Sequence, residues 1–400
     1  MQRRQWLGAA AGAAFAASVL PGQTRKSPKI AKLRFYRAMV GPRAWLALQV
    51  ETDNGLTGLG DATHAAAEPK VCVTMARKMF AAMEGRTVFE VEGLRQVALP
   101  VIAAQNGGRD HRPAAAAFAG LEQCLWDLQG KVLGLPCSEL FGGRLRSQVH
   151  NYANINRATK GEARTPEGFS QMAQRGLDAG FDAFKMASFD HLKPNDPDHE
   201  RFADGTQLGI DCIAAVRQTI GPDRDLLVDG HSKFSREQAI EVALRLEPQK
   251  LFWFEEATPG IPNLAALNAV ARMPTAGGES LFGVGEFLPY IAGKAVDIVM
   301  PDMKFCGGML ELKKIAAMAE AAGMACSPHG PASPIGNMAA AQVCATLPNF
   351  QILEFAYGEV PWRGECVTPE EPIGKGGMLE VLDRPGIGYE LNGKYWEAYG

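Results

Sequence analysis

From about residue 150 onward, short apolar runs alternate with segments of helical periodicity. The runs begin with "VHNYANI" and "AFKMA" and finish with "MACSPH" and "QILEF", and the segments between them include "TPEGFSQMAQRGLDAG" and "REQAIEVALRLE". Strands that alternate with helices predict a parallel sheet. Eight such strands in about 210 residues favour a (β/α) barrel of modified TIM type over an open sheet, so we predict an α/β barrel over residues 149–365.

Residues 29–148 have a different pattern. "RAWLALQVETDNGLTGLGDA" alternates apolar and polar residues around Asn54-Gly55, which predicts a β-hairpin. "VCVTMARKMFAAM" and "AAAAFAGLEQCLWDLQGKVLG" have the period of helices, and the second ends in glycine. We therefore predict an N-terminal α+β domain. Residues 366–400, rich in Gly and Pro, leave the strand and helix alternation, and we predict that this tail packs on the N-terminal domain.

Residues 1–24 have the layout of an export signal. Arg3-Arg4 precede an apolar segment from Trp6 to Leu20, and Pro21-Gly22 follow. The paired arginines favour the twin-arginine route, which predicts a periplasmic or otherwise exported protein. An uncleaved membrane anchor is the alternative, but the apolar segment has only about 15 residues where a spanning helix needs roughly 20. We expect no stable membrane association after signal removal.

Composition narrows the class of partner. The 400-residue chain is 46% hydrophobic and 21% charged, with a net charge of -3, which is typical of a soluble globular protein. Its basic residues do not gather into the surface that nucleic-acid binding requires, so we expect a small molecule as partner. The eight cysteines form no CxxC pair, and most lie in apolar or helical stretches. We predict buried free thiols rather than disulfides.

Acidic residues end three successive apolar runs. Asp229 ends "LLVD", Glu255 ends "LFWFE" and Glu279 ends "TAGGE". They are about 25 residues apart, which is one strand and one crossover helix. The C-terminal strand ends of a barrel converge on one face, where three carboxylates would repel one another without a cation. Oxygen ligands alone favour Mg²⁺. Helix N-caps are the ordinary alternative for any one of these acids.

Histidines repeat the pattern. His329 ends "MACSPH", and His231 follows Asp229 by two residues, so the period of two of a strand would place both side chains of that pair on one side. Two histidines beside a carboxylate cluster fit acid and base roles near neutral pH. Asp302, which ends "DIVMPD", is placed to fix the tautomer of His329. Glu354, which ends "QILE", completes the ring of polar strand ends.

These motifs resemble the enolase superfamily, specifically its mandelate racemase-like subgroup. The resemblance covers about residues 30 to 395 and includes "VETDNGLTGLGDA" and "LEQCLWDLQGKVLGLPCSELFGG" in the first domain, then "LLVDGH", "FWFEE", "GGES", "DIVMPD", "SPHGPASPIG" and "ILEF" in the barrel. It implies a capping domain over the barrel mouth, one Mg²⁺ per subunit and a homo-oligomer. The implied metal ligands are Asp229, Glu255 and Glu279, beside a His329–Asp302 dyad, with Glu354 near the substrate carboxylate.

Two departures from the family narrow the expected activity. Racemases and cycloisomerases of the family carry Lys-x-Lys on the second barrel strand, whereas "FKMAS" has Lys185 followed by Ala187 where the catalytic lysine would stand. Many relatives have Asn two residues after the first metal ligand, whereas this chain has His231. The Asp-x-His motif resembles galactonate and mannonate dehydratases. Lys185 is either a residue that neutralises a substrate oxygen or a surface lysine at a strand end.

The resemblance therefore implies a Mg²⁺-dependent lyase acting on a sugar acid. His329 would remove the α-proton and His231 would protonate the departing 3-hydroxyl, giving a 2-keto-3-deoxy acid. Arg43 and His64, in the capping module, are candidate specificity residues or ordinary surface residues. Two alternatives stay open. One is a racemase, epimerase or cycloisomerase acting on a carboxylate through the same enediolate, and the other is an inactive sugar-acid binding protein.

Overall fold

A computed structural model describes residues 27–64, 69–105 and 111–400, and the predicted export signal at residues 1–24 lies outside them. The N-terminal domain is an antiparallel sheet covered by helices. Its elements are β1 (Ile30–Val40), β2 (Arg43–Thr52), β3 (Thr57–Asp61), α1 (Lys70–Ala81), α2 (Val91–Ala104), α3 (Arg112–Leu133) and α4 (Cys137–Leu140). The predicted hairpin is β2 and β3, and β1 adds a third strand that the sequence analysis did not predict.

Glycine spacing lets helix α3 lie directly on strand β3. A Cβ at Gly60 would stand 2.0 Å from the Gly120 carbonyl oxygen, and one at Gly58 would stand 2.4 Å from that of Cys124. Both glycines belong to the motif "GLG", so the close approach requires residues without side chains. Helix α3 ends at Gly134, whose φ of 72° is left-handed, as its glycine stop predicts. Helix α3 contacts helices of the barrel as well as the capping sheet.

The eight predicted apolar runs are the eight parallel strands of the barrel. They are β4 (Gln148–Asn154), β5 (Ala183–Met186), β6 (Asp225–Asp229), β7 (Trp253–Glu255), β8 (Thr275–Gly277), β9 (Ile298–Val299), β10 (Ala325–Cys326) and β11 (Leu353–Phe355). Each pairs with its neighbour, and β11 pairs with β4. The ring closes where Cys326 accepts from Gln351 N at 3.1 Å and donates to Asn349 O at 2.9 Å. The predicted barrel is confirmed.

Helices cover the outside of the barrel. They are α5 (Pro166–Asp178), α6 (His199–Ile220), α7 (Arg236–Leu246), α8 (Ile261–Asn268), α9 (Gly283–Ala292), α10 (Met303–Cys306), α11 (Gly308–Ala321) and α12 (Pro334–Cys344). In the described part of the chain, no helix is long and apolar enough to cross a membrane.

The interior of the barrel alternates apolar and polar layers. Leu227 and Trp253 are fully buried in one apolar cluster, while Val228 and Phe254 belong to a different cluster that packs with the outer helices. Because strand side chains alternate between faces, the residue two positions after each inward apolar residue also points inward. Asp229 and Glu255 hold these positions at the C-terminal strand ends. The period of two thus directs both carboxylates into the barrel mouth.

The tail contacts both domains. Its strands are β12 (Val367–Thr368), β13 (Met378–Glu380), β14 (Glu390–Leu391) and β15 (Glu397–Ala398). Strand β15 pairs antiparallel with β1 of the capping domain. Strand β13 pairs antiparallel with the beginning of β4, a barrel contact that the sequence analysis did not predict. All eight cysteines are buried free thiols, which confirms that prediction.

Candidate active site

Three carboxylates meet at the mouth of the barrel. Asp229 and Glu255 are directly paired at the ends of β6 and β7, and Glu279 follows β8. One oxygen from each lies within 4.8 Å of the other two. Asp229 and Glu255 are buried, and Glu279 is partly exposed. The structure therefore brings together the three acids that the spacing of strand ends had indicated.

Lys185 from β5 supplies a positive charge to this cluster. Its Nζ lies 2.5 Å from Glu255 Oε1 and 3.5 Å from Asp229 Oδ2. The side chain is buried, so it is not a surface lysine at a strand end. Burial opposes the ammonium charge, but the charge of Glu255 and of the other acids raises the pKa of Lys185 well above its usual value. Lys185 stays protonated and offsets part of the negative charge.

The donor set fits a hard divalent cation. Burial and the charge of Asp229 raise the pKa of Glu255 above its usual value even with Lys185 beside it, so a further positive charge would favour the ionised cluster. Glu279 Oε2 is buried and makes no hydrogen bond of good geometry, and its nearest polar neighbour is His329 Nε2 at 3.1 Å, so it keeps lone-pair capacity for a ligand. Carboxylate oxygens are the ligands that Mg²⁺ prefers. Asp229, Glu255 and Glu279 are thus suited to hold it.

His329 and Asp302 form a pair at the ends of neighbouring strands. His329 Nδ1 lies 2.7 Å from Asp302 Oδ2, and the same carboxylate accepts from Lys304 Nζ at 2.9 Å. Burial would raise the pKa of Asp302, but the charges of Lys304 and His329 hold it below its usual value. The ionised Asp302 therefore fixes the ring, and His329 Nε2 faces the cluster, 3.1 Å from Glu279 Oε2.

Glu354 lies on the same side of the site as His329. Its carboxylate accepts from Asn154 Nδ2 and, at 3.0 Å, from Gly330 N, and one oxygen lies 3.4 Å from His329 Nε2. Burial opposes ionisation, but the charges of Lys185 and His329 lower the pKa of Glu354 to about 2. Glu354 is therefore a fixed negative charge beside His329.

His231 reaches the cluster through a turn rather than through strand alternation. The residue has a φ of 42°, and a Cβ on the preceding Gly230 would stand 2.7 Å from Ala257 Cα. The strand has already ended, so the period of two does not explain the position of the ring. His231 Nε2 lies 2.9 Å from Asp229 Oδ2, and its Nδ1 hydrogen-bonds Asp190. The charge of Asp229 is the main reason that the pKa of His231 rises to about 11.

The two capping-domain candidates contact segments that follow barrel strands. Arg43 Nη2 bonds Glu359 Oε1 at 2.9 Å, beyond the end of β11. The ring of His64 stands edge-on to Phe305 in α10, with centroids 6.0 Å apart. Both residues thus join the capping domain to the barrel, and their role toward a substrate stays a prediction.

Sequence reasoning missed several side chains of the site. Asn154 ends the apolar run "NYAN" and Lys304 follows Asp302 by two residues, so polar strand ends gave a signal for both. Asp190 and Arg164, which lie near His231, are in loops with no distinctive spacing. Only the packing of consecutive βα loops brings them to the site.

The family models match both halves of the chain. The "Mandelate racemase / muconate lactonizing enzyme, N-terminal domain" matches residues 24–142, and the "Enolase C-terminal domain-like" model matches residues 168–395. This chain belongs to the enolase superfamily. A solved superfamily structure, a mandelate racemase/muconate lactonizing enzyme-like protein from Rubrobacter xylanophilus, is 29% identical with a TM-score of 0.83, covering 92% of this chain and 96% of that one.

Curated relatives within the superfamily include enzymes that act on sugar acids. A D-galactonate dehydratase of Variovorax paradoxus is 30% identical over 91% of this chain and 92% of its own length. A D-galactarolactone cycloisomerase of Agrobacterium fabrum is 30% identical over 90% and 91%. A D-gluconate dehydratase of Thermoproteus tenax is 31% identical over 72% of this chain, and the match spans 56% of that relative. The relatives thus support a lyase of the dehydratase type at the family level.

Proposed function

We propose that this protein is a Mg²⁺-dependent dehydratase that converts a sugar acid into a 2-keto-3-deoxy acid. The observation that carries the proposal is the position of two histidines. His231 follows β6 and His329 follows β10, which stand opposite each other in the ring of eight strands, and the Nε2 atoms of both rings face the carboxylate cluster. Elimination of water needs a base for the α-proton and an acid for the leaving hydroxyl.

Asp229, Glu255 and Glu279 would hold the cation. When bound, Mg²⁺ supplies positive charge that offsets the negative charge developing on the substrate carboxylate as the α-proton leaves. Lys185 adds a second positive charge within this cluster, since it lies 2.5 Å from Glu255. The substrate carboxylate is therefore expected beside these residues, with its C2 toward His329.

The two histidines then divide the proton transfers. His329 Nε2 accepts the proton from C2, while Asp302 keeps hold of the proton on Nδ1. His231 Nε2 donates a proton to the 3-hydroxyl, the C3–O bond breaks, and water leaves. The resulting enol takes a proton at C3 and releases its C2 hydroxyl proton to solvent, which gives the 2-keto-3-deoxy acid. One water is lost from the sugar acid, and solvent restores the proton on His231 and removes the proton on His329.

A racemase, epimerase or cycloisomerase remains the second candidate. Ala187 lacks the amine that the family's lysine base would supply, and this favours the dehydratase. Two opposed histidines can nevertheless exchange the α-proton on both faces of a carbon, and one relative is a cycloisomerase. The distinction therefore depends on whether the 3-hydroxyl leaves.

A substrate panel in D₂O tests the proposal. The panel contains D-galactonate, D-gluconate, D-xylonate and six-carbon diacids with Mg²⁺, and NMR follows both C2–H exchange and keto-acid formation. We expect a 2-keto-3-deoxy acid carrying deuterium at C3. Epimers or deuterium at C2 without a keto product would support the racemase. Binding without exchange or turnover across the panel would support the inactive binding protein.

We also propose that residues 1–24 direct export and that the mature chain is a homo-oligomer without stable membrane association. Arg3 and Arg4 are the feature that carries the export proposal. The full chain should appear in the periplasmic fraction, and an Arg3→Lys, Arg4→Lys double variant should stay in the cytoplasm. Equal export of the double variant would rule out the twin-arginine route. Light scattering of the mature protein would measure the oligomeric state.

A further inference from the structure

We propose that Asp190 is the positioning residue of His231 and that Arg164 holds Asp190 in place, so that the site contains a second Asp–His pair. The inference rests on the proposed function, because it assigns His231 to proton donation. The inference goes beyond the proposed function because it names the two residues that orient the His231 ring.

Asp190 uses both carboxylate oxygens in this arrangement. It lies in the turn that follows β5, and its Oδ1 accepts from His231 Nδ1. Its Oδ2 accepts from Arg164 Nη2 at 2.9 Å and from Asn156 Nδ2 at 3.3 Å. Burial would raise the pKa of Asp190, but its contact with His231 and the charge of Arg164 hold it below its usual value. Asp190 is thus an ionised acceptor that faces the ring.

Arg164 is itself fixed by several contacts. The guanidinium donates to Asn156 Oδ1 at 2.8 Å, to Thr159 O at 3.2 Å and to the Ala187 carbonyl. It also lies over the ring of Phe169, 5.4 Å from its centroid. Arg164 and its partners Asn156, Thr159 and Ala187 belong to the loops that follow β4 and β5. Phe169 lies in the first turn of α5, the helix between those strands. Arg164 therefore joins adjacent loops and leaves Asp190 little freedom to turn away.

The arrangement has the same parts as the pair on the opposite strand. There His329 Nδ1 bonds Asp302, Lys304 holds that carboxylate, and Nε2 faces Glu279. Here His231 Nδ1 bonds Asp190, Arg164 holds the carboxylate, and Nε2 faces Asp229. A carboxylate on Nδ1 fixes the ring orientation and keeps that nitrogen protonated, so only Nε2 is left to serve the substrate.

His231 has a left-handed backbone, and Asp190 is one of the contacts that hold the residue in place. A φ of 42° is uncommon for a residue other than glycine and persists where surrounding contacts determine it. The ring is about one third exposed, so packing alone does not fix it. During elimination Nε2 gives its proton to the departing oxygen at C3, while the proton on Nδ1 stays between His231 and Asp190.

Asp190→Asn separates this role from a structural one. With D-galactonate, we expect the dehydration rate to fall about 100-fold or more, the size of one acid or base contribution. Exchange of C2–H in D₂O should change little, because His329 performs it. With 3-deoxy-3-fluoro-D-galactonate the loss should nearly disappear, because fluoride departs without a proton. Equal losses of exchange and of elimination from both compounds would overturn the proposal.

Asp182→Asn is the matched control. Asp182 forms the same kind of pair, 2.7 Å from His150 Nε2, near the start of β5 and far from the strand ends that carry the site. The control should keep wild-type rates with both compounds. Arg164→Gln is the second variant and should reduce the same step by a smaller factor. If Asp190→Asn does not fold, Arg164→Gln tests the proposal in its place. An unchanged dehydration rate in Arg164→Gln would then reject the proposal.

A spectroscopic measurement tests the pair without any substrate. In the full chain with Mg²⁺, His231 should give a far-downfield Nδ1–H proton resonance, assigned by its loss in His231→Gln. We expect Asp190→Asn to remove or shift it and Asp182→Asn to leave it in place. An unchanged resonance in Asp190→Asn would show that Asp190 does not bond His231 Nδ1. If no sugar acid is dehydrated but the resonance behaves as expected, the proposed function fails and the positioning of His231 stands.

Discussion

Individual hydrogen bonds fix the orientation of the Glu255 carboxylate. One oxygen accepts from Lys185 Nζ at 2.5 Å and the other from Trp253 Nε1 at 2.9 Å. The adjacent Glu256 has the same side chain and points elsewhere, accepting from Gly278 N at 2.6 Å. Removing Lys185 or Glu255 would leave the other buried charge uncompensated. Substituting either residue should therefore change stability far more than substituting a charged residue on the surface.

Glu255→Gln should weaken Mg²⁺ binding. The change removes a negative charge and one ligand, and we expect at least a 10-fold loss, because even outer partners of metal ligands contribute about that much. Calorimetric titration of the purified protein with Mg²⁺ measures it. Glu256→Gln is the matched control and should bind nearly as well as wild type. Equal affinities in the wild type and Glu255→Gln would remove Glu255 from the metal site.

His329→Asn should stop both proton exchange and dehydration. Its ring is the base, so we expect rates of C2–H exchange and keto-acid formation to drop by about 10²–10⁴. Mg²⁺ affinity should stay near the wild-type value, which separates this effect from loss of the metal site. His150→Asn, near the start of the strands, is the control and should retain activity. Exchange that persists in His329→Asn would show that another residue is the base.

At the scale of elements, two acids of the capping domain cap helices of the barrel. Glu122 in α3 accepts from Met309 N at 2.9 Å and Leu310 N at 3.0 Å, at the start of α11. Asp61 at the end of β3 accepts from Ser333 N at 2.9 Å, just before α12. The first N–H groups of a helix have no partner within it and favour negative charge, so these acids fix the capping domain to the barrel.

Glu122→Gln should destabilise the protein. A glutamine has one acceptor oxygen, so its amide nitrogen would face an N–H group, and we expect a loss of about 1–3 kcal/mol in the free energy of unfolding. Urea unfolding at pH 8 measures it, above the pKa of about 7 to which burial raises the Glu122 carboxyl. Glu241→Gln, on an exposed side chain of α7, should change stability little. Equal stability of the two variants would contradict the capping role.

At the scale of the whole molecule, the tail joins the two domains. Strand β15 extends the capping sheet beside β1, and β13 pairs with β4 of the barrel. Between them Trp396 is 6% exposed, lies 6.4 Å from the ring of Trp45, and donates from Nε1 to Cys366 O at 2.8 Å. One apolar cluster contains these residues together with Val149 of the barrel. The domains therefore share a core and are expected to unfold together.

Trp396→Ala should lower the stability of both domains. Large-to-small changes of a buried tryptophan cost about 3–5 kcal/mol, since a cavity replaces the ring. Trp396→Phe keeps an aromatic ring and loses the hydrogen bond, so it should cost less. Thermal unfolding followed by circular dichroism measures both, and we expect one transition that moves to lower temperature. A transition affecting only part of the signal would show that the domains unfold independently.

The sequence alone determined the barrel and the three acids of the cluster. The strands are short apolar runs that end in a polar residue. Parallel strands of a barrel bring these ends together whatever path the connecting segments take. Asp229, Glu255 and Glu279 follow from this rule, as does the choice of His329 and Asp302 as neighbours. The same rule does not predict β1 or the contact of β13 with β4. These pairings depend on which strand edges remain unpaired in the folded sheets.

Only the tertiary structure decided where loop residues point. Lys185 was compatible with a surface position until burial placed its ammonium group on Glu255. His231 lies near Asp229 because of a left-handed turn, not because of strand periodicity. Asp190 meets His231, and Arg164 meets Asp190, across separate loops. A strand has a fixed period that can be read from the chain, whereas a loop takes its direction from what it packs against, and that depends on the completed fold.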